Sequence, residues 1–366
     1  MGSKTSPTAA QRRGRLARLI QAITSPYVRY RHANMIHAVR VGLAMAATVV
    51  LTTGINLPHG VWASVSLLVV VGGLQHYGNV RKKAMERALG TMLGAAIGLG
   101  LIVLMNLSGS LLLFFTLMSI SAGACAYYAI GRPGYVALLT AITMVIVAGH
   151  GDLDFSTGLW RTANVLIGIS IAVAFSFVLP QYAVYAWRYR LADNLRDCAR
   201  LYGALLDGKP QSVEQTGQRF VVMSQRLVQA RALMESVAKE TRVPLARLEE
   251  LQRLHRSILE TLEMLVNCQP ASGFELACTP REMAVRRQLL RTVRALRFGR
   301  VGLLLQRNEA SNSLVGAEPT PLGQDSTLQG LHWLAMRFSE QVERFRLRLS
   351  EIEPHWNIEG ARRPNA

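Results

Sequence analysis

Acidic residues and cysteines are both scarce in this sequence, and each scarcity excludes a class of protein. The chain holds 23 Asp+Glu against 41 Lys+Arg, which gives 366 residues a formal net charge of +18. Its four cysteines form no CxxC pair and no Cys/His spacing typical of a metal site, so neither a disulfide scaffold nor a zinc domain is predicted. Half of the residues are hydrophobic, which excludes intrinsic disorder.

Sequence motifs of catalysis are also missing. The chain contains no GxxxxGK[ST] phosphate loop, no nucleophile elbow and no HExxH. We therefore expect no enzyme activity, no ATP hydrolysis and no cofactor. The excess of basic residues would suit a nucleic-acid binder, but cytoplasmic loops of membrane proteins are basic as well. We favour the membrane and expect no nucleic-acid partner.

Residues 36–180 hold only three acidic and seven basic residues. This block contains six apolar segments, and a helix needs about 20 residues to cross the hydrocarbon core. The second and fifth segments are shorter than that. The sequence predicts an all-α membrane protein with six transmembrane helices, at 36–54, 61–74, 88–105, 111–130, 135–149 and 162–180.

The distribution of basic residues predicts the orientation of these spans. The N-terminal segment 1–35, the loop 75–87 and the GRPG turn at 131–134 are basic, whereas the alternate loops hold almost no Lys or Arg. Basic loops stay in the cytoplasm. We therefore expect a multi-pass protein of the cell inner membrane with both termini cytoplasmic.

Beyond residue 181 the pattern changes to amphipathic helices, which we predict at 182–207, 213–240, 245–268, 280–306 and 327–353. Apolar stripes at helical spacing predict that they pack as a cytoplasmic helical bundle. Helix 280–306 is densely basic, either as a solvated face or as a surface for the anionic inner leaflet. The predicted domains are 1–35, a basic cytoplasmic segment; 36–180, the membrane domain; 181–353, the helical domain; and 354–366, a tail.

An internal repeat relates the two halves of the membrane domain. Residues 60–97 align with 134–171 at an offset of 74, and this superposes the two short spans as well as Arg87 on Arg161. Each unit contains three spans, so the second copy is upside down. The prediction is a 3+3 inverted repeat, the arrangement of many transporters, whose substrate sites lie at such paired short helices.

Arginines inside an apolar domain suit anions, because guanidinium binds a carboxylate through two parallel hydrogen bonds. Arg40 either extends to the cytoplasmic headgroups or faces the interior. His76 and His150, beyond the short spans, are candidate titrating groups on opposite membrane faces, so they form no metal site. The predicted substrate path contains Arg40, Trp62, His76, Arg87, Thr91, His150, Arg161 and Asn164.

Glycines recur at four-residue spacing in the segment ALGTMLGAAIGLG at 88–100. Small residues at this spacing let membrane helices approach closely. We predict helix packing at Gly90, Gly94 and Gly98, and at Gly168, the equivalent of Gly94 in the second half.

Two motifs resemble the FUSC family of fusaric-acid-resistance-like proteins and aromatic acid exporters. These are LPHGVWA at 57–63 and RxxGTxxG at 87–94. The second half departs from the pattern, with Asn164 and Val165 at the positions of Gly90 and Thr91. The resemblance implies export of small organic anions, and the family's name implies aromatic carboxylates as the substrates. Bacterial exporters of this type carry two six-span halves, so a homodimer is implied, with a periplasmic adaptor protein as a further expected partner.

Six spans followed by a helical region are also similar to the plant aluminium-activated malate transporters, which are dimeric anion channels. A passive anion channel is therefore an alternative to an exporter. A third alternative is a membrane-anchored interaction or scaffold protein, in which the helical domain does the binding and the spans only anchor it.

Overall fold

A computed structural model describes residues 26–71, 77–131, 134–149, 154–177, 180–208, 212–268, 280–299, 302–304 and 326–357. No strand occurs in these ranges, so the all-α prediction is confirmed for them. The helices are α1 (Pro26–Arg31), α2 (Ala33–Gly54), α3 (Val61–Val71), α4 (Tyr77–Ser108), α5 (Leu111–Ala129), α6 (Gly134–Ala148), α7 (Phe155–Ser176), α8 (Ala183–Leu206), α9 (Val213–Ala232), α10 (Met234–Thr241), α11 (Leu245–Asn267), α12 (Pro280–Phe298) and α13 (Ser326–Ile352).

The chain divides into two compact units, Met1–Gln181 and Tyr182–Ala366. The described residues of unit 1 contain four helices that are long and apolar enough to cross a membrane: Ala33–Gly54, Lys82–Ser108, Leu111–Ala129 and Phe155–Ser176. Two shorter apolar helices, α3 and α6, lie between them in the chain. Length and composition thus mark the chain as a membrane protein.

Helices α4 and α7 start earlier than the hydropathy pattern predicts. Helix α4 begins at Tyr77, so most of the predicted basic loop 75–87 is helical. Helix α7 begins at Phe155 because Asp154 caps it: the carboxylate accepts a hydrogen bond of 3.0 Å from the backbone N–H of Ser156. Hydropathy locates the apolar centre of a helix and misses polar end turns.

The chain enters and leaves the apolar helices of unit 1 on the same side. Arg29 Nη1 donates to the carbonyl of Pro180 at 3.2 Å, and Gln181 Nε2 donates to the carbonyl of Ala33 at 2.9 Å. These bonds join the beginning of α2 to the segment that follows α7. An even number of crossings between the two points is consistent with this arrangement.

Unit 2 is built around two facing apolar stripes on α11 and α13, which contact each other. The stripe residues predicted from the sequence are all buried, from Leu248 to Leu265 on α11 and from Leu331 to Ile352 on α13. Its helix boundaries differ from the prediction in two places. Predicted helix 213–240 is interrupted at Leu233, where no glycine or proline signals a break. Helix α12 ends at Phe298 because Gly299 adopts a positive φ of 64°.

A buried arginine joins three parts of unit 2. Arg188 of α8 is 2% exposed, and its Nε and Nη2 donate to the carbonyl of Leu296 at 3.0 and 2.7 Å. Its Nη1 donates to the carbonyl of Trp356 at 3.3 Å, and the guanidinium lies 5.0 Å from the centre of that indole. Backbone carbonyls satisfy this charge, so Arg188 has a structural explanation.

The core of unit 2 also contains a histidine. His255 is 1% exposed, and burial lowers its pKa to about 3. Its Nε2 lies 3.3 Å from the amide nitrogen of Asn194, which also donates to the carbonyl of Met223. Because that amide is a donor, Nε2 is the acceptor and the ring proton lies on Nδ1.

We expect acidification to destabilise unit 2 through His255. Between pH about 6.5 and 3 the unfolded histidine binds a proton that the folded one does not, so the free energy of unfolding falls by up to about 1.4 kcal/mol per pH unit as the pH falls. The measurement is thermal unfolding of the full chain at pH 7 and pH 5, followed by tryptophan fluorescence. His255→Gln should reduce the difference between the two pH values; an equal difference in both proteins would contradict the assignment.

Candidate functional site

Helices α4 and α6 touch through glycines. A Cβ atom built on Gly94 would lie 2.4 Å from the carbonyl oxygen of Thr140, and one on Gly90 would lie 2.7 Å from Leu139 Cβ. Gly98 meets Val147 at 3.0 Å in the same way. Residue numbers on the two helices therefore rise together along the line of contact, so α4 and α6 are parallel. Their backbones are in close approach.

The same contact recurs between α3 and α7. A Cβ atom on Gly168 would lie 2.2 Å from the carbonyl oxygen of Ala63. Near the start of α7, Asn164 Nδ2 donates to the carbonyl of Pro58 at 2.7 Å, so this pair is parallel as well. Gly168 is the residue that the offset of 74 aligns with Gly94. Each half of the domain thus supplies one short helix that packs against the third helix of the other half.

Arg87 lies at the beginning of the α4–α6 contact and is completely buried, with 0% exposure. Helical spacing places it on the same face of α4 as Gly90, Gly94 and Gly98. None of its three guanidinium nitrogens has a hydrogen-bond partner among the described residues. Tyr135, at the start of α6, is near enough to interact electrostatically with it.

Unsatisfied hydroxyls accompany this guanidinium. Thr91, one turn after Arg87, and Thr143 of α6 are both 0% exposed, and their hydroxyl groups have no partner among the described residues. A buried polar group without a partner costs roughly 1–3 kcal/mol, and an unpaired charge costs more. Arg87 and Thr91 supply a cation and a hydroxyl donor one turn apart on α4, which is what a carboxylate requires. Thr143 lies further along the same interface, beside Gly94.

Arg161, the counterpart of Arg87, lies near the other end of α6. Its Nη1 donates to the carbonyl of Ile146 at 3.2 Å, and the side chain is half-buried. Tyr135, beside Arg87, and Ile146 are eleven residues apart on α6, a rise of about 16 Å. The two arginines therefore occupy opposite ends of this helix and do not form one binding site.

Three of the remaining predicted path residues, Arg40, Trp62 and Asn164, have contacts of their own among the described residues. Arg40 is 6% exposed and its Nη2 lies 3.0 Å from His37 Nδ1, so of the two alternatives the structure favours the interior. Trp62 packs against the apolar cluster formed by α2, α3 and α7 with Ile146 of α6. Asn164 Nδ2 donates hydrogen bonds to the carbonyls of Pro58 and Trp160, and the bond to Pro58 stabilises the turn before α3. His76 and His150 lie outside the described residues.

Sequence reasoning missed three polar side chains of these interfaces. Tyr135 and Thr143 face the α4 contact, and Ser66 of α3 is a further buried hydroxyl without a partner in the described chain. Ser66 aligns with Thr140 at the offset of 74, so the repeat was the signal that could have found it.

A cavity of about 390 Å³ lies between α2 and α3, where the chain turns from one helix into the other. Its lining includes the polar side chains of Thr53, Asn56 and Ser64. The described ranges contain no group of three or more His, Cys, Asp or Glu residues able to hold a metal ion.

Comparison with known proteins relates the chain to one family. The model of the fusaric acid resistance protein family matches residues 34–353, which includes both units. Inner membrane protein YeeA of Escherichia coli (strain K12) is 28% identical over 328 residues, which cover 86% of this chain and 93% of that protein. The resemblance seen in two short motifs therefore extends to almost the whole chain, and the chain belongs to the fusaric acid resistance protein (FUSC) family.

Proposed function

We propose that this protein is an inner-membrane transporter that exports small organic anions, with aromatic carboxylates as the substrates. The observation that carries the proposal is Arg87, a completely buried guanidinium with no hydrogen-bond partner among the described residues. Ionisable residues inside membrane domains mark substrate pathways when they have no structural partner. A carboxylate would supply the missing charge and both hydrogen bonds.

The substrate class is also consistent with the family description. Fusaric acid is a pyridine carboxylate, so its anion combines an aromatic ring with the group that a guanidinium recognises. The name of the Escherichia coli relative gives a location in the inner membrane and no substrate. We extend that location to this chain, with both termini in the cytoplasm as its basic loops predict.

The proposed architecture is a six-span domain made of two inverted three-helix repeats. Two features support it: the parallel pairs α4–α6 and α3–α7 are equivalent under the offset of 74, and the chain enters and leaves the apolar helices on the same side. A repeat of three membrane-spanning helices ends on the side of the membrane opposite to where it began. The second repeat therefore starts from that other side and is inverted relative to the first. We further propose that unit 2 is a cytoplasmic helical bundle, that the transporter is a homodimer, and that a periplasmic adaptor protein receives the substrate.

Flux through the purified protein tests the proposal. Liposomes loaded with fluorescent coumarin-3-carboxylate should lose the anion faster with the protein than without it, while the neutral coumarin-3-carboxamide should show no difference. Flux that requires a pH gradient indicates a coupled exporter, and flux that follows voltage alone indicates a passive anion channel. Absence of flux from folded, reconstituted protein would contradict the transport proposal and favour a membrane-anchored interaction protein.

A further inference from the structure

The arginines of α12 divide into an inward set and an outward set. Arg286 and Arg297 are half-buried and face acidic residues of α8: Arg286 Nη1 lies 3.8 Å from Asp207 Oδ1, and Arg297 interacts electrostatically with Asp193. Arg287, Arg291 and Arg294 are exposed. Arg287 and Arg294 make no ion pair with any described residue.

Large apolar side chains interleave with the outward arginines. Phe298 is 68% exposed, Met283 is 42% exposed and Leu290 is 36% exposed. Helical spacing places these side chains within the same arc of α12 as the exposed arginines. We call this surface the outer face of α12; it consists of Met283, Arg287, Leu290, Arg291, Arg294 and Phe298.

We propose that the outer face of α12 binds the headgroups of anionic lipids at the bilayer surface. Arginine recognises phosphate through parallel hydrogen bonds, and apolar side chains between basic ones enter the headgroup boundary. Basic segments close to a membrane span are attracted to anionic leaflets. In the chain, only residues 177–182 separate the last apolar helix from α8, so unit 2 follows that helix directly.

The composition of this face argues against a second copy of the chain as its binding partner. Pairing two copies of α12 through a two-fold axis would bring the same exposed arginines together, and like charges at an interface are strongly unfavourable. None of the six residues of this face is acidic, and Arg287 and Arg294 have no ion pair with a described residue.

The test uses the full chain with Phe298→Cys in nanodiscs. One sample contains phosphatidylcholine alone and the other contains about one third phosphatidylglycerol. A bulky, membrane-impermeant maleimide reacts with exposed thiols, and peptide mass spectrometry gives the rate at each site. The native Cys268, which is exposed in the same unit, is the internal reference.

We expect the thiol at position 298 to react about tenfold more slowly in the phosphatidylglycerol nanodiscs, while Cys268 is unchanged. The combination of Arg287→Gln, Arg291→Gln and Arg294→Gln should remove the difference, and the corresponding lysine variants should retain it. Circular dichroism checks that each variant folds.

Two results would overturn the proposal: equal rates at position 298 in both lipids, or slowing that persists in the glutamine variants. Protection that appears only when RNA is added, with no effect of the lipid, would also overturn it and assign the face to a nucleic acid. Carboxylate flux does not enter this measurement, so its outcome is independent of the transport proposal.

Discussion

Replacement of Arg87 by glutamine will lower carboxylate flux by about 100-fold and at the same time raise the thermal stability of the ligand-free protein. The flux falls because two charge-assisted hydrogen bonds to the substrate are lost. The stability rises because a buried charge without a hydrogen-bond partner among the described residues is removed from the α4–α6 interface, and the expected increase in Tm is on the order of 5 °C. A purely structural arginine would give the opposite sign of the stability change.

The matched control for this prediction is Lys83→Gln. Lys83 is exposed and lies one turn before Arg87 on the same helix, so the substitution removes the same charge without touching the buried interface. Its flux and Tm should equal those of the wild type. Arg87→Lys retains the charge but cannot form two parallel hydrogen bonds, so we expect intermediate flux.

Addition of coumarin-3-carboxylate separates binding from transport. The ligand should raise the Tm of the wild type and of Lys83→Gln, because a ligand that binds only the folded state stabilises it. It should not raise the Tm of Arg87→Gln. If Arg87→Gln unfolds at a lower temperature and still responds to the ligand, Arg87 is a structural residue and the site lies elsewhere.

Addition of a single methyl group at Gly94 will disrupt unit 1. In Gly94→Ala the new Cβ would lie 2.4 Å from a backbone oxygen of α6, a distance that real Cβ atoms do not adopt, so the two helices must move apart. Overpacking of this kind costs roughly 1–3 kcal/mol, a decrease in Tm of about 5 °C. Gly168→Ala meets the carbonyl of Ala63 in the same way and should behave alike.

Gly100 offers a matched control on the same helix. A Cβ atom there would meet nothing within 4 Å, so Gly100→Ala adds the same methyl group without a clash. Alanine is the better helix former, and we expect an unchanged or slightly higher Tm. Thermal unfolding of the three purified variants is the measurement. Equal Tm values for Gly94→Ala and Gly100→Ala would show that the close approach of α4 and α6 is not required.

The glycine variants also bear on the proposed repeat. If α4–α6 and α3–α7 are equivalent interfaces on separate helix pairs, the double variant should lose about the sum of the two single losses in stability. A double variant that is no less stable than the worse single variant would indicate one shared interface.

Composition and periodicity were sufficient to predict much of this molecule. Apolar runs of helical length located the membrane helices, because burial in lipid demands apolar side chains wherever the backbone crosses. Glycine spacing pointed to close packing on α4, since only a residue without Cβ permits such an approach. The stripes of α11 and α13 were readable because a helix buries every third or fourth residue.

Other features depended on contacts that no local pattern encodes. Whether Arg87 has a partner is decided by α6, which lies more than forty residues further along the chain, and the sequence treated Arg87, Arg161 and Arg40 as one path. Tyr135 and Thr143 lie at the α4 interface only because α6 packs against α4, and the sequence does not show that packing. Asn164 was predicted to contact substrate, and its amide donates to the carbonyls of Pro58 and Trp160.

By itself, therefore, the sequence determined a helical membrane protein with arginines in an apolar domain, because these properties follow from composition and local spacing, and two motifs supplied the resemblance to the FUSC family. Tertiary structure alone decided that Arg87 is buried with no hydrogen-bond partner in the described part of the chain, while Arg161 donates to the carbonyl of Ile146. It also decided which arginines of α12 face acidic residues and which remain exposed. The physical reason is that burial and pairing are properties of neighbours in space, and neighbouring helices come from distant parts of the chain.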